Sequence, residues 1–118
     1  GVTPVMAPLT HDGRGSMLNT NADTIASSVA TALVGHYDVT LVYCFEKKGV
    51  LSNPDDDDSV IEQITRSDYE KYVADGTISG GMMPKIENAL NAVDAGVRQV
   101  VITSATAIGS GNGTVISK

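Results

Sequence analysis

The residues best spaced for chemistry are Ser79-Gly80-Gly81-Met82-Met83-Pro84-Lys85, a Gly-Gly pair opening a helix with a lysine on its first turn. Backbone N–H groups at a helix start lack intrahelical partners and carry partial positive charge, so a nearby lysine completes a site suited to phosphate. The same residues also make an ordinary turn, with Pro84 tolerated in the first helical turn and Lys85 in water. A second cluster is Asn19, Asn21 and Asp23, which alternate ahead of an apolar helical segment. In an extended lead-in Asn19 and Asn21 share a face. Asn21 and Asp23 equally fit helix capping. The third is Glu46-Lys47-Lys48-Gly49-Val50-Leu51, which ends a strand, the place where open α/β sheets bind ligands.

These clusters need elements to hold them. After Asp23 the sequence reads as a helix to about residue 34, with Ile25, Val29, Ala32 and Leu33 as its apolar stripe and Gly35 as its stop. Residues 39–45 are nearly continuous in β-branched, aromatic and apolar types, as expected of a strand covered on both faces in a parallel sheet. Ser67 and Glu70 have capping-box spacing and predict a short helix to Asp75. Met82, Ile86, Ala89, Leu90 and Val93 make the stripe of the next helix, with Lys85 on its flank. Residues 98–103 read as a second buried strand and 114–116 as an edge strand, joined by a flexible glycine-rich connection over 109–113. Residues 4–9 read as a buried or edge strand, and His11 and His36 as turn residues. The order of strands and helices is that of a layered α/β domain.

Composition narrows the function. A chain of 118 residues, 42% hydrophobic, is one folding unit with a modest core. A formal charge of −6 without a basic cluster argues against a nucleic-acid partner. No apolar run approaches membrane-spanning length. The single cysteine, Cys44, excludes an internal disulfide framework and suits a reducing compartment, with the cytoplasm as the expected location. The run Asp55-Asp56-Asp57-Asp58 lacks the glycine and final glutamate of a calcium loop and reads as a solvated turn. The sequence opens on Gly1 within an apolar stretch, which reads as a piece of something longer, with a processed precursor as the alternative.

Three pieces stand in a characteristic order: Leu18-Asn19-Thr20-Asn21-Ala22-Asp23, Gly49-Val50-Leu51 after an apolar strand, and Gly81-Met82-Met83-Pro84-Lys85 opening a helix. In that order and spacing they resemble the C-terminal half of acetylglutamate kinases, a branch of the amino acid kinase family. The resemblance runs from about residue 2 to 116 and includes the closing Gly113-Thr114-Val115-Ile116. It implies an α/β fold, a carbamate kinase-like layered α/β/α arrangement with a mainly parallel sheet. Residues 1–118 would form its ATP-binding half. The implied reaction moves the γ-phosphoryl group of ATP to the side-chain carboxylate of an N-acyl-L-glutamate, an early step of arginine biosynthesis. ATP with Mg2+ would be the co-substrate, without a tightly bound cofactor, and the intact enzyme would be a homo-oligomer.

By the same resemblance, Asn19 with Asn21 would hold the acylglutamate. Asp23 would position two lysines, and Lys85 would be the one of them that stabilises charge on the transferring phosphoryl group. Glu46, Lys47, Lys48, Gly49, Val50 and Leu51, with Thr77, Ile78, Ser79, Gly80 and Met82, would form the nucleotide-binding loops. The family usually carries Ser or Thr followed by Asp at the strand end, where this sequence has Phe45-Glu46, so its ribose or adenine contacts should differ. The family's glycine-rich segment, second lysine and acylglutamate-binding arginine lie outside these residues, which alone should lack efficient catalysis. Two alternatives stay open: a sister kinase acting on aspartate, glutamate or a nucleoside monophosphate, and a non-catalytic nucleotide-binding or regulatory domain.

Overall fold

The structure, a computed structural model, describes residues 1–118. The β-branched and aromatic run Thr40–Phe45 extends as strand β3, and Gln99–Ser104 as β5 pairs with it in parallel, Tyr43 opposite Ile102. Thr114–Ile116 forms β6, antiparallel to β5, and the two-residue β4, Gln63–Ile64, adds in parallel to β6. The sheet order is β3-β5-β6-β4. Ahead of it Leu9–His11 (β1) and Met17–Asn19 (β2) make a separate antiparallel hairpin.

Three helices complete the chain. Helix α1, Ala22–Leu33, is capped by Asn21, whose side-chain oxygen accepts the Asp23 N–H at 2.8 Å. Helices α2, Arg66–Ala74, and α3, Met82–Asp94, are joined by a short turn and tied by an Arg66–Asp94 ion pair. Helix α3 is the centre of the packing. Its Ile86, Ala89, Leu90, Ala92 and Val93 are buried with Ile64, Val100, Ile102 and Ile116 from the sheet. These residues supply the sheet and a helical layer of the layered α/β architecture. No helix is long and apolar enough to cross a membrane.

Several expectations are corrected. Residues 4–9 do not form a strand; pairing starts at Leu9, where the hairpin partner Asn19 begins to face it. Strand β3 is covered on one face only, with Tyr43 buried and Val42 and Cys44 exposed, because Leu41, Tyr43 and Phe45 face the core shared with α1 and α3 while the alternate residues point away from it. Strand β6 is internal rather than an edge, since β4, too short to show in a periodicity, covers its far side. Helix α2 is capped by Thr65 with Asp68, not by Ser67 with Glu70: the Thr65 hydroxyl accepts the Asp68 N–H while the Asp68 carboxylate accepts the Thr65 N–H. In α1 the packed line is Ala26, Ala30 and Val34, while Ala32 and Leu33 are exposed. The connection at 109–113 is an ordered turn: the Thr103 hydroxyl donates to the Asn112 carbonyl and the Ser110 hydroxyl to that of Ala107. His11 lies at the end of β1, where its Nδ1 accepts the Gly13 N–H.

Candidate functional site

The opening of α3 matches its sequence signature. Gly80 adopts φ +60°, Gly81 is the N-cap without a side-chain partner, and no acidic residue stands in the first turn. The positive end of the helix dipole is therefore uncompensated within its own helix, and Lys85 adds charge of the same sign. The compensation comes from another element. Lys85 Nζ lies 3.3 Å from Asp23 Oδ2, with side chains 34% and 23% exposed. Asp23 sits in the first turn of α1, where an acidic residue complements that helix's dipole. Two helix N-termini are thus joined by one ion pair, leaving a locally positive corner suited to an anion.

That corner opens on a cavity of about 660 Å3 at the C-terminal end of β3. Phe45, Glu46, Lys47, Gly49, Val50 and Leu51 line one side, and Thr77, Ile78, Ser79, Met82 and Lys85 the other. Of the eleven residues named above for the nucleotide loops, Lys48 and Gly80 are outside the lining. Lys48 instead borders a separate polar groove with Asp57, Asp58 and Glu62. Asn19 is exposed at the end of β2, and Asn21 spends its side-chain oxygen on capping α1. Neither lines the cavity.

The floor of the cavity is fixed by a buried hydroxyl that the sequence reading missed. Thr114 accepts the Val50 N–H at 2.8 Å and donates to the Ile61 carbonyl at 2.6 Å, which holds residues 49–51 against the lead-in to β4. Gly49 is required there, because an added Cβ would stand 2.8 Å from the Thr114 hydroxyl and 2.9 Å from a Val60 methyl. The acidic loop folds on itself through Ser59, whose hydroxyl lies within reach of the Asn53 and Asp56 carbonyls. Asp57 meets Lys47 at 3.0 Å, both well exposed, a pair worth at most about 1 kcal/mol. No three His, Cys, Asp or Glu side chains gather to hold a metal ion.

Two aromatic residues complete the corner. The Lys85 ammonium lies 4.0 Å from the centroid of the Phe45 ring, and Phe45 stacks on Tyr43 at 6.1 Å between centroids. The Tyr43 hydroxyl donates to the Asp23 backbone carbonyl at 3.3 Å. Burial pushes the Tyr43 hydroxyl above its usual range, the Asp23 charge adds to this, and hydrogen bonding to Ser27 partly offsets it. Tyr43 therefore stays neutral and keeps its proton for that hydrogen bond.

A family model described as the amino acid kinase family matches residues 1–104. The chain belongs to the amino acid kinase family. The acetylglutamate kinase of Phocaeicola vulgatus is 66% identical to this amino acid kinase chain over all 118 residues, which cover 46% of that protein. The chain spans about half the length of the curated relatives it matches. A crystal structure from Streptococcus mutans is 38% identical, with a TM-score of 0.75 over 97% of this chain and 42% of that one. Giardia carbamate kinase, 21% identical, shares the amino acid kinase fold with a TM-score of 0.67 over 93% of this chain and 39% of its own.

Proposed function

We propose that the chain is the nucleotide-binding half of an N-acyl-L-glutamate kinase of arginine biosynthesis, acting in the cytoplasm on ATP and N-acetyl-L-glutamate or a close acyl analogue. The observation that carries this reading is the Asp23–Lys85 pair at two converging helix N-termini, open to the cavity at the end of β3. Likeness to acetylglutamate kinases over the whole chain supports the choice of acceptor.

Phosphoryl transfer asks little covalent chemistry of the protein. Fixed positive charge around the transferring group, and in-line positioning, carry most of the rate. In this reading the cavity holds the nucleotide, with Gly49–Leu51 as a rigid wall. Lys85 reaches the transferring phosphoryl oxygens as a compact charge, and Asp23 sets its direction. Mg2+ accompanies the nucleotide phosphates as part of the co-substrate. Asn19 and Asn21 belong to the acylglutamate side, completed by the part of the enzyme outside these residues, and the intact enzyme is a homo-oligomer.

The test is a coupled ATPase and acyl-phosphate assay on the intact enzyme with N-acetyl-L-glutamate. Lys85→Ala should lower kcat about 10²–10³-fold, as loss of one charge-stabilising group does. An unchanged kcat removes Lys85 from the mechanism, and activity on a nucleoside monophosphate instead of acylglutamate replaces the acceptor.

A further inference from the structure

We propose that Phe45 is a positioning residue for Lys85, its ring holding the ammonium in the direction phosphoryl transfer requires; this rests on the kinase reading above. The contact closes a circuit of four residues on three elements. Asp23 on α1 pairs with Lys85 on α3 at 3.3 Å. Lys85 lies 4.0 Å from the centroid of Phe45 on β3. Phe45 stacks on Tyr43, interplanar angle 25°, and the Tyr43 hydroxyl returns to the Asp23 carbonyl.

An ion pair alone would not fix Lys85. A lysine carries a flexible four-carbon stem, and a partly exposed pair contributes little net energy while leaving several rotamers open. The face of an aromatic ring is electrically negative and attracts a cation, with a preferred approach over the ring. The ammonium has three N–H donors. Asp23 takes one and the Phe45 face occupies another side, which leaves the remaining direction toward the cavity that Lys85 and Phe45 both line.

The ring also attracts without neutralising, unlike a second carboxylate, so Lys85 keeps charge to offer a phosphoryl oxygen. Tyr43 is only 4% exposed, and its stacking on Phe45 ties that ring to the buried core. Aromatic character, rather than apolar volume alone, is the property that position 45 supplies.

The experiment is steady-state kinetics on the intact kinase carrying Phe45→Leu, Phe45→Tyr or ring-fluorinated phenylalanines at position 45, together with NMR of the lysine side chains in the same proteins. Phe45→Leu should lower kcat about tenfold and leave the KM for ATP within about twofold. Phe45→Tyr should restore most of the loss, and kcat should fall stepwise as fluorines withdraw charge from the ring face. The ε-methylene protons of Lys85 should show a ring-current shift that vanishes in Phe45→Leu. Full kcat in Phe45→Leu, or a flat fluorine series, overturns the proposal. A wild-type enzyme inactive on every acylglutamate defeats the kinase reading and this role with it, and the ring-current shift then reports whether the contact belongs to the fold alone.

Discussion

Helices α1 and α3 each contribute one member of the Asp23–Lys85 pair, yet they are embedded very differently. Helix α3 buries five side chains against the sheet, whereas α1 buries only Ala30. The outer face of α1, with Ile25, Val29 and Leu33, borders an apolar groove of about 370 Å3 shared with Pro4, Met6 and Leu41. Lysine is thus mounted on the rigid element and its aspartate on the less anchored one. Local opening free energy follows the number of buried apolar contacts, so α1 should open before α3. The Asp23–Lys85–Phe45 contact is a point where the two helices are held in register.

The contrast breaks most readily at the core. Ile86→Ala on α3 removes a fully buried side chain and should cost about 2–5 kcal/mol, read as a shift in urea midpoint. Leu33→Ala on α1, where the side chain is 40% exposed, should cost less than about 1 kcal/mol. Equal costs would mean that α1 is as firmly embedded as α3. Next in size, Thr114→Val keeps the volume but strips partners from the Val50 N–H and the Ile61 carbonyl, at a cost of about 1–3 kcal/mol. It should also weaken ATP binding by loosening residues 49–51, which calorimetry on the intact enzyme would register.

The smallest effect belongs to the cap of α2. Hydrogen bonds from the Thr65 backbone and hydroxyl hold the Asp68 carboxyl below its ordinary value of 3.8, and Lys71 adds a little. A depressed native pKa stabilises the fold above the unfolded value and loses that contribution as pH falls through the native one. The stability this cap contributes should therefore fade as pH falls below about 4, and Asp68→Asn should flatten that limb of the stability curve while leaving the neutral-pH activity intact. A curve of unchanged shape would remove Asp68 from the acid response.

Much of this was legible from residue order. The stripe Ile86, Ala89, Leu90 and Val93 gave α3 correctly, because a helix packed on a sheet needs that period. The runs 39–45 and 98–103, rich in β-branched residues, pointed to β3 and β5, each within one residue of its observed bounds. The strand-end rule pointed to Glu46, Lys47, Gly49, Val50 and Leu51 of the cavity lining, and the family resemblance added Thr77, Ile78, Ser79 and Met82. What failed has separate physical causes. Ile25, Val29 and Leu33 make a proper stripe, but on a face these residues leave open, so periodicity named the wrong packed line. Thr65–Asp68 and Ser67–Glu70 both have capping spacing, and only backbone geometry chooses between them. β4 is two residues long, below any period. Phe45 registered as a departure from family pattern, since a ring beneath an ammonium is visible only in three dimensions.

The most direct test is a double-mutant cycle on kcat in the intact enzyme, with Asp23→Ala, Lys85→Ala and both together. If Asp23 acts through Lys85, the double variant should be about as slow as Lys85→Ala alone, because residues acting as a unit are strongly non-additive. Multiplying losses, with the double variant slower by the product of the two single effects, would contradict the pairing of α1 and α3 at one phosphoryl-transfer site.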